Sequence, residues 1–324
     1  MQRFKNILYV AGYHALDLKL LDELVGIAER NDAQLTLLVV VEEVPAYAMQ
    51  PSAQVFRQAQ LANKRDELDS LAALVSGRVE IETKVIEGTS FLEITREVLR
   101  HGRDLVVKSA QSEAGVIAQL FGTNDLHLLR KCPCPVWLVK PASQSPIRRV
   151  LAAVDFNEVD PREQDKFDPL NKKILELAGS LASLEGSELH VAHAWFPVGV
   201  GVMQSKRTGL TKEQADDYFE DFHLTHQHWL DRLMDRAVEW IGRENYNLLK
   251  PKAHLLKGNA RNVIPSLVDT LEVDLVVMGT VGRTGVSGLL MGNTAESILH
   301  QIDCSVLAIK PDGFETPVTL EEQT

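Results

Sequence analysis

The sequence predicts an α/β fold: two tandem domains, each an open parallel sheet with helices on both faces. Three observations predict it. First, short apolar runs such as Leu35–Val41, Val150–Val154 and Leu275–Met278 alternate with stretches of helical periodicity. Strands that are apolar throughout are buried on both faces, as in a parallel sheet. Second, the chain repeats itself. Asp104-Leu-Val-Val-Lys reads against Asp274-Leu-Val-Val-Met, and the same offset of 170 pairs Gly88 with Gly258, Gly115 with Gly285 and Gly122 with Gly292. It also pairs Cys134-Pro-Val-Trp-Leu-Val-Lys-Pro with Cys304-Ser-Val-Leu-Ala-Ile-Lys-Pro, and no gap is needed from about residue 80 to residue 141. Upstream, Asn6-Ile-Leu-Tyr-Val-Ala-Gly matches Arg149-Val-Leu-Ala-Ala-Val-Asp at an offset of 143, so the second repeat carries insertions in its early loops. Third, Pro141-Ala-Ser-Gln-Ser-Pro-Ile147 has the chemistry of a linker. The expected domains are 1–142 and 147–313, followed by a polar, acidic tail, 314–324, expected to fray.

Within the second repeat the elements follow in order. Val150–Val154 is an expected strand, about Leu170–Ser183 a helix and Leu189–Ala194 a second strand. A long helix is expected to start at Thr211. Thr211-Lys-Glu-Gln214 has the spacing of a capping box, and Ala215, Phe219, Phe222, Trp229, Leu233, Ala237 and Trp240 recur on one face. Then come a strand at about Lys252–Leu256, a helix, the strand Leu275–Met278, a helix and the strand Val306–Ile309. In open sheets of this kind ligands bind beyond the carboxyl ends of the strands, where the strand order reverses. Functional residues are therefore sought just after strands.

Composition narrows the partners. With 324 residues, 45% apolar and 24% charged, the chain has a globular composition and room for two cores. A net charge of −11 disfavours nucleic acid, whose binding is driven by Lys and Arg on phosphates. The apolar runs are strand-sized, too short to span a membrane. The first residues make a poor signal peptide. Three cysteines form no disulfide framework. A cytoplasmic location is expected.

The strand Leu275–Met278 runs into Gly279-Thr-Val-Gly282-Arg-Thr-Gly285-Val-Ser-Gly288-Leu-Leu-Met-Gly292-Asn-Thr. Glycine reaches positive φ at little cost, so successive backbone N–H groups can converge on one anion. The helix that follows adds unpaired N–H donors and a positive dipole end. Arg283 supplies a full charge, and Asn293 and Thr294 supply side-chain donors. A plain surface loop with Asn293 capping the helix would share this composition. The place between strand and helix favours phosphate.

Gly279-x-x-Gly282, nine residues, then Gly292-Asn-Thr resembles the ATP-binding signature of the universal stress protein family. The whole chain resembles that family's tandem, two-domain bacterial members. Val154-Asp155, His193-Ala194, Lys257-Gly258-Asn with Val263-Ile264-Pro, and Cys304-Ser-Val-Leu-Ala-Ile-Lys-Pro carry the rest of the likeness. The resemblance implies Rossmann-like domains of the adenine nucleotide alpha hydrolase type, with the C-terminal domain in the ATP-binding branch. By that likeness Ala153, Val154 and Asp155 border adenine and ribose, and Asp155 helps to hold a cation. The Ala194 backbone reads the adenine edge. Gly279 approaches the ribose or α-phosphate, and Gly282, Arg283, Gly292, Asn293 and Thr294 hold the phosphates. Mg²⁺ is the expected companion of ATP, since it bridges phosphates with few protein carboxylates.

The first repeat departs from this pattern. Gly279 and Gly282 become Ser109 and Ser112, Arg283 becomes Glu113, and Asp155 becomes Gly12. Gly122, Thr123 and Asn124 survive at the helix start, and Lys108 replaces Met278 as a partial compensation. The first repeat is expected to bind ATP far more weakly or not at all.

Other constellations read as structure. Cys132-Pro-Cys134-Pro lacks the four ligands of a zinc site and is expected to supply core thiols. His226 falls on the apolar stripe of the long helix, and His193 on a strand end is read as structural. No nucleophile–base arrangement is in evidence.

The expected function is an ATP-dependent regulatory or stress-tolerance factor, in which nucleotide orders the loop 279–294 for a protein partner or for self-association. The alternatives are a slow ATPase or phosphotransferase, which would need a positioned water and a base, and a scaffold independent of nucleotide. The resemblance to a family whose single-domain members pair through their last strands implies that the two repeats pair as an internal pseudo-dimer, and the need to cover exposed apolar sheet edges gives that pairing a physical motive. A homodimer is a further expectation.

Overall fold

The computed structural model describes residues 4–12, 18–42, 51–110, 121–140, 147–156, 169–197, 211–281 and 291–320. The first repeat contains β1 (Asn6–Val10), α1 (Leu18–Asn31), β2 (Gln34–Val41), α2 (Pro51–Val75), β3 (Ile81–Glu87), α3 (Ser90–His101), β4 (Leu105–Ser109), α4 (Thr123–Lys131) and β5 (Val136–Val139). The second contains β6 (Arg149–Val154), α5 (Pro169–Glu185), β7 (Glu188–Trp195), α6 (Lys212–Ile241), α7 (Arg243–Leu249) and β8 (Lys252–Lys257). It ends with α8 (Ala260–Thr270), β9 (Leu275–Gly279), α9 (Asn293–Leu299) and β10 (Ser305–Ile309).

Apolar spacing explains the helices. Leu20, Leu21, Leu24, Ile27 and Ala28 bury one face of α1, and Ile174, Leu175, Ala178, Leu181 and Ala182 bury the matching face of α5. The capping box at α6 is formed. Thr211 Oγ1 accepts from the Gln214 N–H at 3.2 Å, and the Gln214 side chain accepts from the Thr211 N–H at 3.0 Å. The long helix breaks at Gly242, whose φ of 87° no helix admits. The short α7 beyond it has no counterpart in the sequence expectation.

By packing, the chain falls into two units. One comprises Arg3–Ser143 with Thr280–Gly292 and Asp303–Thr324; the other comprises Gln144–Gly279 with Asn293–Ile302. In the first, the strands run in the order β3-β2-β1-β4-β5-β10, all parallel except that β10 lies antiparallel to β5, with Leu307 opposite Trp137. The last strand of the second repeat thus packs with the first. In the other unit the order is β9-β6-β7-β8, all parallel. Each repeat builds outward from its first strand, then returns to that strand's other flank. The strand order therefore reverses between β1 and β4, and again between β6 and β9.

The repeats match bond for bond. The Asp104 carboxylate accepts from the N–H groups of Lys5 (2.6 Å) and Asn6 (3.0 Å) where β1 begins. The Asp274 carboxylate accepts from Arg148 (2.8 Å) and Arg149 (2.9 Å) where β6 begins. Both aspartates lie directly before their strands, so each ties the start of the fourth strand to the start of the first. Gly88 and Gly258 hold φ of 147° and 144° at the turns from β3 to α3 and from β8 to α8, a region that favours glycine.

The tail departs from expectation. Val318 is buried and Arg96 Nε donates to the Thr319 carbonyl at 3.4 Å, so residues up to 320 dock on the first unit instead of fraying.

Candidate functional site

The expected site residues of β6, β7 and β9 sit at the carboxyl ends of their strands. Ala153 on β6 lies between Ala192 of β7 and Met278 of β9, so the reversal point is flanked by Ala153-Val154-Asp155 on one side and Gly279 on the other. Ala194, one residue before the end of β7, pairs with Leu256. The Asp155 backbone is fixed by the buried Asn171 amide. Its N–H donates to Asn171 Oδ1 at 3.2 Å, and its carbonyl accepts from Asn171 Nδ2 at 2.7 Å, while the residue itself is exposed. A buried amide thereby holds the turn still and leaves an acid at the surface.

Gly279 does not use a left-handed backbone. It ends β9 without a positive φ, and a Cβ there would stand 2.7 Å from Leu170 Cδ2 at the start of α5. Positive φ was the sequence argument for this loop, and at 279 the backbone does not need it; a side chain there would require Leu170 to turn aside. Asn293 and Thr294 open α9 and are exposed. Gly282 and Arg283 lie outside the described residues. The chain on either side of them is closed in the first unit: Val281 bridges Met291 antiparallel, and the Gly292 N–H donates to the Thr280 carbonyl at 3.0 Å. Thr280 is fully buried. Its N–H donates to the Ile309 carbonyl at 3.3 Å and its Oγ1 accepts from Lys310 Nζ at 2.6 Å. Burial pushes the Lys310 ammonium down to about 8.

Behind the ends of β6 and β7 stands a stack of rings. His193 Nε2 and His226 Nδ1 are 2.7 Å apart, and His193 Nδ1 lies 3.4 Å from the Val154 carbonyl. Phe156 meets His193 edge-on at 4.5 Å, and Trp229 meets His226 at 4.7 Å. Both histidines are buried, as the apolar stripe predicts for His226. Burial, then the neighbouring His193, pushes His226 down to about 4, with the Asp155 carboxylate opposing. A second pair escaped the sequence reading: His190 Nδ1 lies 2.9 Å from His254 Nε2, and burial lowers both. Its signal was the shared register, since His190 stands two residues from Ala192, the neighbour of His254. Among the described residues no three His, Cys, Asp or Glu side chains gather as a metal site.

At the reversal point of the first repeat the chemistry differs. Lys108 does not compensate for the lost glycines: its buried ammonium is 2.7 Å from Asp125 Oδ1, so its charge is already used. Ser109 ends β4, Gly122 caps α4, and Thr123 and Asn124 begin it; Ser112 and Glu113 lie outside the described residues. Cys132, Cys134 and Cys304 are buried free thiols, and burial pushes Cys134 well above its ordinary value. No helix among the described residues is long and apolar enough to cross a membrane.

The sequence profile of the universal stress protein family matches residues 3–140 and again 146–310. Universal stress protein E of Escherichia coli K12 is 33% identical over 246 residues, covering 76% of this chain and 73% of that protein. The Haemophilus influenzae homolog of universal stress protein E is 30% identical over 237 residues, covering 72% and 71%. Among solved structures, a putative universal stress protein from Pseudomonas aeruginosa UCBPP-PA14 superposes with a TM-score of 0.63 at 27% identity, covering 96% of this chain and 95% of that one. These matches support a role in stress response. Two profile matches in series on two matching α/β repeats make the chain a tandem member of the universal stress protein family.

Proposed function

We propose that the chain is a cytoplasmic, ATP-binding regulatory factor that takes one adenine nucleotide, with Mg²⁺, in its second repeat. The observation that carries the reading is the reversal of strand order between β6 and β9, with Ala153-Val154-Asp155 and Gly279 at the carboxyl ends of those two strands. Ligands of open parallel sheets enter at that point. Asp155, exposed on a backbone that Asn171 fixes, suits a cation that needs only one or two protein carboxylates. Ala194 offers backbone polar groups to the adenine edge. Gly282, Arg283, Gly292, Asn293 and Thr294 supply donors to the phosphates. Mg²⁺ there offsets phosphate charge. The nucleotide state is read by a protein partner, or by a second copy of the chain, at the surface 279–294.

Mass spectrometry of small molecules released from the purified protein tests the reading. One adenine nucleotide per chain is expected. A protein that carries none, and that takes up none when titrated with MgATP, overturns it.

A further inference from the structure

The first repeat keeps the reversal point of the sheet, and a buried pair of opposite charges stands beside it. Lys108 stands one residue before the end of β4 and Asp125 in the first turn of α4. Their side chains are only 6% and 1% exposed, with Nζ 2.7 Å from Oδ1, and Lys108 Nζ also donates to the Ser109 carbonyl at 3.4 Å. At the matching places the second repeat has Met278 and Ala295, both buried and both uncharged. Stability alone gives no general reason to prefer the charged pair. Taking two charges out of water is expensive, and a well-packed apolar pair of similar volume is often as stable or more so.

Position gives the pair its meaning. Gly122, the N-cap of α4, has no side chain with which to cap the first turn, where the helix dipole is positive. The Asp125 carboxylate lies in that first turn. In the second repeat the same helix start, Gly292-Asn293-Thr294, is assigned to phosphate. We infer that the first repeat carries its own anion: the Asp125 carboxylate is a built-in substitute for a nucleotide phosphate, and Lys108 is its resident counter-ion. The first repeat is then a permanently filled copy of the nucleotide site, and only the second responds to nucleotide. Which ligand is imitated rests on the proposed function; the anion chemistry at Lys108 does not.

The test removes the internal anion and offers a free one. Asp125→Ala leaves a buried ammonium beside a small space, and the unfolding temperature of the full chain should fall by about 10 °C. Tens of millimolar formate or inorganic phosphate, at constant ionic strength, should restore at least half of the loss in a saturable way. The double variant Lys108→Met/Asp125→Ala, built from the second repeat's own residues, should unfold close to wild type and ignore both anions. The inference is overturned if Asp125→Ala responds to anions no more than the double variant does. It is equally overturned if the double variant is as unstable as the single one. Should Asp125→Ala fail to fold, Asp125→Asn replaces it. A fall that Lys108→Met reverses supports the internal ion, and a fall that Lys108→Met leaves in place overturns it. Nucleotide stoichiometry on the wild type is a separate arm: its failure sinks the proposed function and leaves the anion rescue standing.

Discussion

The two repeats share a skeleton and differ where a ligand would enter. Asp104 and Asp274 clasp the same pair of strand starts, and Gly88 and Gly258 make the same turn. At the reversal points the likeness ends: Lys108 faces Asp125 in one, and Met278 and Ala295 lie buried in the other. Backbone geometry and the side chains at the reversal point have therefore varied independently within one chain. The left-handed positions make the same point. After α1 the residue is Asp32 (φ 50°) and after α5 it is Gly186 (φ 67°); after α3 it is Gly102 (φ 61°) and after α8 it is Glu272 (φ 47°). Each repeat keeps glycine at one of two helix ends and tolerates strain at the other, so the helix end dictates the backbone angle and the residue only adapts.

The largest expected effect comes from making the second repeat resemble the first. Gly279→Ser, Gly282→Ser and Arg283→Glu together should weaken MgATP binding by more than about a hundredfold, roughly 2.7 kcal/mol, in isothermal titration calorimetry. Equal affinity would mean that the glycine pattern does not distinguish the repeats.

A smaller effect is expected from acid. His226 titrates near 4 in the folded chain and near its ordinary value when unfolded. Between those values the unfolded state binds the extra proton, so stability is present above about pH 6.5 and is lost as pH falls towards 4. The first repeat has Val39 where the second has His193. Of the four tryptophans, Trp195, Trp229 and Trp240 belong to the second repeat, so fluorescence should report earlier acid loosening there. Replacing His193 with Val and His226 with Leu should reduce that loosening. A transition unchanged by the pair of substitutions would assign it elsewhere.

The smallest effect concerns the strained helix ends. Glu272→Gly should stabilise by about 0.5–1 kcal/mol in urea unfolding: a side chain in the left-handed region costs about 1–2 kcal/mol, and the greater unfolded-state freedom of glycine offsets about 0.4–1 kcal/mol of the gain. The ion pair it removes, Arg149 with Glu272, is exposed and contributes little. Asp32→Gly should act in the same direction in the first repeat. Destabilisation by both would show that the residues have roles beyond the turn.

Local signals were legible in the sequence. Strand limits at 150–154, 189–194, 252–256, 275–278 and 306–309 fall within one residue of those observed, because apolar runs and their glycine or proline borders act over short distances. The capping box at Thr211 is local in the same sense. Partners distant in sequence were not legible. Lys108 and Asp125 are 17 residues apart, and His193 and His226 are 33 apart, so only the fold brings each pair together. Asp104 was visible as a mark of the repeat, but its two backbone partners about a hundred residues earlier were not. Of the candidate site, the strand-end residues could be placed from periodicity. The close approach of Leu170 to Gly279 could not, because it depends on a helix that begins over a hundred residues upstream.

The placing of β10 sets a timetable for synthesis. All four residues of β5 are buried in the folded protein, and the strand beside them, Ser305–Ile309, is made only after the other strands of the second repeat, β6 to β9. As the chain leaves the ribosome, β5 presents an open edge until the second repeat has been translated. Such edges recruit other strands. The tandem arrangement supplies the covering strand from the same molecule, so a nascent chain completes its first unit by finishing its second repeat, without waiting for another chain.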